Sequence, residues 1–347
     1  MIRELFEREQ SFFEEYKSCC THNCVRQILE YYGLEHAHLL FNTSYGFKVV
    51  QDPKTLRVIV EREPEALLVG DLNQYIKHGP KDNMTVENII TEDQSLIQEN
   101  IPIIIDVDIC YLNYDKHYHL DHCLHSILFC GIDGENAYVV DVGERISYRG
   151  TISFDDYKKA RTSSNPKCDN LYSGQPIECR ETYIEPEIVA HVDYRNVVLC
   201  NLLEVQKYYK TKGYGIDNVH LLDKMFHRLI EREEKLTDEE IEEMYYQLYS
   251  INRKRKLFLL ELKMIEEKWP EISTSLIRHT MEEILQCWKS ILSILLKLRF
   301  VRNHTKSYQK ISEYINNSYS KEEDINCLLD QLVYDLNISK RDDENET

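Results

Sequence analysis

An α+β domain followed by a helical domain is the fold class the sequence predicts, and three observations carry it. The first half of the 347-residue chain changes character often, as mixed chains do. Two runs rich in Val, Ile, Leu, Phe and Tyr, Leu124 to Gly131 and Ala137 to Asp141, flank Asp133-Gly-Glu-Asn136, a hairpin signal. The second half is almost unpunctuated by Gly or Pro and carries apolar residues at helical spacing. The boundary falls near 185–200, which gives residues 1–185 as the first domain, 186–340 as a helical bundle and 341–347 as a charged, frayed tail.

In chain order, an opening helix precedes a helix from Cys20 to Tyr32. Its apolar stripe of Val25, Ile28, Leu29 and Tyr32 faces a core, and Gly33 can take the left-handed cap. Short strands follow around Phe47 to Val50 and Leu56 to Val60, then a strand from Ile101 to Asp108 and the hairpin. The stretch 165–185, with Pro, Gly, Ser and Asn and no periodicity, reads as a loop able to cover a site. From about Asn196 helical spacing dominates, as in Leu221, Met225, Leu229 and in Ile241, Tyr245, Leu248. Thr237-Asp-Glu-Glu240 has the form of a capping box. Segments 251–269, 273–300 and 311–338 complete a bundle of four or five helices.

Composition excludes several function classes. At 42% hydrophobic the chain can bury a core. Asp and Glu outnumber Lys and Arg 60 to 42, for a net charge of −18, so a general nucleic-acid binder is not expected and a cationic partner suits the field better. The apolar stretch 284–301 is interrupted by Lys289, Lys297 and Arg299, so it predicts a buried helix rather than a membrane span. Eleven cysteines, an odd number without CxxC pairs or a signal peptide, are expected to be reduced thiols in a cytoplasmic protein.

Cys20 is the candidate nucleophile. At the first turn of its helix, unpaired N–H groups and the positive end of the dipole favour a thiolate. Cys24, one turn on, is expected to point into the core, and Cys19 about 100 degrees around the helix. The ordinary alternative for any of them is a buried small hydrophobe. The base is sought in His117-Tyr-His119-Leu-Asp-His122-Cys-Leu-His125, where His125 alone opens an apolar strand and is rigidly held. Adjacent antiparallel strands would bring Asp141 to the same end of the hairpin, where its carboxylate can orient the imidazole. The four histidines together, with Cys123, Asp106 and Asp108, could suggest zinc. Their spacing does not suit a single helix and no second ligand cluster accompanies them, so no metal is expected.

Cys20-x-x-x-Cys24-Val-x-x-Ile-x-x-Tyr31-x-Gly33 resembles the nucleophile helix of papain-like, C39-type cysteine peptidases, and His125-Ser-Ile-Leu-Phe-Cys-Gly131 through Asp141 resembles their histidine and aspartate strands. The segment Pro102-Ile-Ile-Ile-Asp106-Val-Asp108-Ile-Cys-Tyr111-Leu112 is closer to the butirosin-biosynthesis-protein-H family, as is Ile152-Ser-Phe-Asp-Asp-Tyr157-Lys-Lys-Ala-Arg161. The resemblance spans roughly residues 15–162. It implies a papain-like fold with Cys20, His125 and Asp141 as a catalytic triad, and an acyltransferase that takes an acyl group from the phosphopantetheine thioester of a carrier protein and passes it to an amine. Amide-forming relatives of the closthioamide type use a small diamine as acceptor. No cofactor of its own is implied.

Where C39 peptidases carry an oxyanion-donating Gln, six residues before the nucleophile, this chain has Glu14. That leaves the Cys20 N–H and Asn23 as candidate donors, with Asp106 and Asp108 as further substrate-binding candidates. Cys19 stands where the peptidases have Asp, and Val142 where they often have Pro, so a peptidase or hydrolase is the second expectation. A binding scaffold without catalysis is the third. The basic run Asn252-Arg-Lys-Arg-Lys256 is a candidate patch for an acidic carrier protein, or else a solvated helix face. The sequence leaves the oligomeric state open, a homodimer included.

Overall fold

In the computed structural model, residues 1–8, 20–42, 45–51, 58–61, 67–79, 86–142, 147–163, 181–211 and 215–346 are described. Their elements define an α+β protein with two units. The first comprises Met1–Ala37 and Asp71–Val192, the second His38–Gly70 and Asp193–Thr347.

The first unit is built on a six-stranded antiparallel sheet. Its strands are β3 (Ile76–His78), β4 (Ile103–Asp108), β5 (Leu124–Ile132), β6 (Asn136–Val142), β7 (Ser147–Ser153) and β8 (Glu181–Ile184), in the spatial order β3-β8-β4-β5-β6-β7. Near-continuous apolar runs make β4, β5 and β6 its centre, with Ile103, Ile105, Val107, Ile127, Phe129 and Val139 excluded from solvent. In the β5–β6 turn the Asp133 carboxylate accepts from the N–H groups of Glu135 and Asn136 and from the Tyr138 hydroxyl. A register shift between Phe129 and Gly131 marks a bulge, where Gly131 has φ +138°.

Among the described residues, four helices belong to this unit: α1 (Arg3–Glu7), α2 (Cys20–Tyr31), α3 (Val86–Gln98) and α4 (Phe154–Thr162). The end of α2 follows from Gly33, whose φ of +85° closes a double reverse bond: Leu34 N–H donates to Leu29 C=O and Gly33 N–H to Glu30 C=O, both at 3.0 Å. Val25, Ile28 and Leu29 are fully buried, as their spacing predicts. Between α3, α4 and β8 lies a buried polar knot. Tyr157 donates to Asp93 at 3.0 Å, and Arg161 reaches Asp93 and Glu181, each at 3.3 Å.

The described residues of the second unit form a two-stranded ribbon, β1 (Lys48–Gln51) with β2 (Val58–Glu61), and five helices. These are α5 (Tyr194–Lys210), α6 (Asp217–Glu231), α7 (Asp238–Lys268), α8 (Ser275–Leu298) and α9 (His304–Glu346). Helix α7 opens with the expected capping box: Glu240 N–H donates to the Thr237 hydroxyl, and Thr237 N–H to the Glu240 carboxylate. Leu222, Phe226, Leu248, Phe258, Ile284, Trp288, Ile311 and Ile325 form its core.

At the centre of this core is a fully buried ion pair, Arg255 Nε to Glu322 Oε1 at 2.6 Å. The Tyr45 and Tyr209 hydroxyls donate to the other Glu322 oxygen, at 2.9 and 2.6 Å. The Arg255 guanidinium lies over Tyr45, Phe47 and Trp288, 4.6, 5.3 and 5.4 Å from their ring centres.

Several expectations are corrected. Residues 38–70 are not part of the first unit, because Tyr45 and Phe47 pack into the helical core and Asn218 holds the ribbon by the Phe47 carbonyl and the Val49 N–H, both at 3.0 Å. The division after the sheet falls at Val192 rather than at residue 185, with a short 3-10 turn over Pro186–His191 still in the first unit. Of the loop expected over 165–185, residues 165–180 lie outside the described residues, while Glu181–Ile184 form β8 and pair with both β3 and β4. The tail continues α9 to Glu346, with no Gly or Pro after His304 to end the helix. Nor is the 252–256 run a solvated face: Lys254 and Arg255 are buried, Lys254 donating to the Gly46 carbonyl at 3.0 Å. No described helix is long and apolar enough to cross a membrane.

Candidate active site

Three elements bring Cys20, His125 and Asp141 together. Cys20 is the first described residue of α2, which packs on β5 and β6; Cys24, one turn on, is buried and donates its thiol to the Ser126 carbonyl at 3.5 Å. His125 lies at the start of β5 and Asp141 near the end of the adjacent β6. The hairpin therefore returns Asp141 to His125, whose Nε2 lies 2.9 and 3.0 Å from the two carboxylate oxygens. With Nε2 committed to Asp141, Nδ1 is the ring nitrogen left for Cys20, and the thiol and imidazole shift one another.

Electrostatics follow from this order. Burial raises the Cys20 thiol, but the hydrogen bond and charge of His125, and after them the polar groups of Ser126, outweigh it and bring the thiol down from 9.0 to about 7. Burial lowers the His125 imidazole, yet the charge and hydrogen bond of Asp141, reinforced by Cys20, hold it well above its ordinary value. A thiolate beside an imidazolium is thus favoured near neutral pH. Cys20 keeps part of its surface exposed, whereas Asp141 is closed off at 2% exposure. Such a pair can attack an acyl carbonyl with the thiolate and protonate the leaving group with the imidazolium.

Two groups not read from the sequence complete the arrangement. Tyr114 donates to Asp141 Oδ2 at 3.0 Å and stacks on Tyr148, with ring centres 3.7 Å apart. Ser126 donates to Asp106 Oδ1 at 2.8 Å, and Thr21 Oγ1 lies 3.1 Å from the same serine hydroxyl. Tyr114 lies between strands, where no periodicity points to it. Ser126 directly follows the base, and alternation along a strand would assign it to the opposite face.

The remaining candidates are placed as follows. Asp106 stands opposite Ser126 in the β4–β5 register and acts on the site through that serine. Asp108 is fully buried and tied to the 110–123 loop: it accepts from Cys110 N–H, Cys123 N–H, His122 Nδ1 at 2.6 Å and Ser163 Oγ at 2.5 Å. That makes it a structural anchor rather than a substrate contact, because its oxygens are already occupied. Asn23, one turn after Cys20, is buried at 1% exposure. Glu14 lies outside the described residues, as does Cys19. His117 bonds Asp121 at 2.8 Å and His119 stacks on Tyr118 at 3.9 Å. Among the described residues no group of three or more His, Cys, Asp or Glu is placed to hold a metal ion.

A scan of the chain against protein-family models finds no match, and no curated protein matches it.

Proposed function

We propose that this chain is a cysteine acyltransferase of papain-like, C39-type fold, similar to the butirosin-biosynthesis-protein-H family, that forms an amide from a carrier-bound acyl thioester and an amine. The observation that supports it is the Cys20–His125–Asp141 order, with its thiol lowered to about 7. The Cys20 thiolate attacks the thioester carbonyl, the carbon–sulfur bond to phosphopantetheine breaks, and His125 gives its proton to the departing thiolate. The acyl group then rests on Cys20. An amine attacks it, His125 takes the amine proton, the amide leaves and the thiolate is restored. Asp141 holds the imidazole and stabilises its charged form. The Cys20 N–H at the start of α2 is the first oxyanion donor in this scheme. The partners are an acyl or peptidyl carrier protein and a small amine, a diamine or aminoglycoside, in the cytoplasm.

The same triad could pass the acyl group to water, as a hydrolase or peptidase does, so the test must separate acceptors. Wild type and Cys20→Ala are incubated with acyl carrier protein thioesters, with and without amines, and followed by intact mass spectrometry. An acyl adduct on the wild type that is absent from Cys20→Ala and is converted to amide supports the reading. Release only as free acid identifies a hydrolase. No adduct with any thioester counts against both.

A further inference from the structure

Three polar atoms meet next to the nucleophile Cys20: Thr21 Oγ1, Ser126 Oγ and Asp106 Oδ1. The positions are rigid. Thr21 follows Cys20 on α2, Ser126 follows His125 on β5, and Asp106 faces Ser126 across the β4–β5 ladder. Ser126 is at the hub, 2.8 Å from Asp106 and 3.1 Å from Thr21, and its backbone and hydroxyl both help to lower the Cys20 thiol.

A serine hydroxyl has one hydrogen and two lone pairs, and an ionised carboxylate can only accept. Ser126 therefore cannot give its hydrogen to Asp106 and to the thiolate at once. Thr21 can donate to a Ser126 lone pair in either case. With the hydrogen turned to Asp106, Ser126 offers the sulfur a lone pair, which favours the protonated thiol. With the hydrogen turned to sulfur, the thiolate gains a donor.

We propose that Asp106 is a positioning residue that competes with Cys20 for the Ser126 hydrogen and so sets the balance between thiolate population and nucleophilicity. No covalent bond is made or broken; only a hydroxyl rotates. The balance matters because a thiol of lower pKa is more often ionised but attacks less strongly once ionised. In an acyl-transfer cycle the same sulfur must attack one thioester and then leave another. The inference rests on the reading of Cys20 as the nucleophile. Among the described residues, the ionisable groups that neighbouring strands bring to this end of α2 are His125 of β5, Asp141 of β6 behind it and Asp106 of β4, with Cys24 one turn along α2 itself.

The test is the pH profile of iodoacetamide alkylation at Cys20, read by peptide mass spectrometry in the full-length protein. Asp106→Asn puts a weaker, neutral acceptor in place of the carboxylate, so that the Ser126 hydrogen turns to the sulfur, and should move the midpoint down by about one pH unit, the effect of one hydrogen bond to a charged group. It should also lower the high-pH plateau roughly threefold, so that the variant and wild-type curves cross. Ser126→Ala should do the reverse. In the Ser126→Ala background, Asp106→Asn should shift the midpoint by less than half as much.

Midpoints that move in the same direction in both variants, or an Asp106→Asn midpoint that does not move, overturn the inference; Asp106→Asn alone suffices if Ser126→Ala does not fold. A wild-type Cys20 that alkylates no faster than the exposed Cys200 overturns the nucleophile reading, and this inference with it. Reactive Cys20 with unmoved midpoints overturns the inference alone.

Discussion

Each unit encloses an ion pair, and the two pairs differ in what their protons can do. In the sheet unit the partners are Cys20 and His125, a thiol and an imidazole between which a proton can move, and Cys20 is only partly buried. In the helical unit they are Arg255 and Glu322, fully buried, and Arg255 stays charged, held further above its ordinary value by Glu322 against the penalty of burial. Both pairs offset desolvation with added hydrogen bonds: Asp141 and Ser126 in the first, Tyr45 and Tyr209 in the second. Burying charge thus suits reactivity where a proton is transferable, the role proposed for Cys20. Where the cation is a guanidinium sealed in aromatic rings, it produces a fixed point in the core.

The largest effect expected on either side is the loss of the reactive pair's orientation. Asp141→Asn should slow formation of acyl-Cys20 on the order of 10³–10⁴-fold with the melting temperature little changed. Single-turnover acylation measures this, and a rate within tenfold of wild type would remove Asp141 from the triad. On the other side, Glu322→Gln leaves Arg255 buried without its counter-charge and should destabilise the protein by about 3–5 kcal/mol in urea denaturation. Its Cys20 alkylation profile should match wild type while the protein is folded. Unchanged stability would show that the aromatic cage alone holds the guanidinium.

The Asp93–Arg161–Glu181 knot is an intermediate case, with one cation for two carboxylates. Burial, then the charge of Asp93, raises Glu181 from 4.5 to about 8. The folded protein therefore holds a proton that the unfolded chain releases above 4.5, so this group's contribution to stability falls as pH rises from about 4.5 to about 8. Glu181→Gln should remove a slope of at most ~1.4 kcal/mol per pH unit and leave the variant more stable than wild type at the upper end. Denaturant titrations across that range decide it, and a wild-type curve that rises instead would contradict the sign. The smallest change expected is Tyr114→Phe, which deletes one hydrogen bond to Asp141 and should reduce acylation about tenfold.

Local signals proved readable where one short segment contains its own reason. Gly33 ends α2, Asp133 makes the β5–β6 turn and Thr237 opens α7, each by bonds to residues within a few positions. The hairpin also made the pairing of His125 with Asp141 legible, since a strand, a turn and a strand fix where the ends meet. Long-range compensation was not legible. Arg255 reads as a surface charge because Glu322 lies 67 residues further on and Tyr45 lies in the distant ribbon segment. Asp108 looked free for substrate because His122 and Ser163, which occupy it, approach from other segments. The edge strand β3 and its neighbour β8 are too short to show alternation and gain their shape from pairing.

The excursion of residues 38–70 sets an order of events during synthesis. As the chain leaves the ribosome, Tyr45 and Phe47 emerge well before α5 to α9, the elements that enclose them. The sheet unit's sequence is complete at Val192. Until more than a hundred further residues have been translated, an aromatic loop must wait without its shelter. A protein truncated at Val192 would retain every residue of the candidate triad and yet carry that loop exposed, a segment prone to self-association.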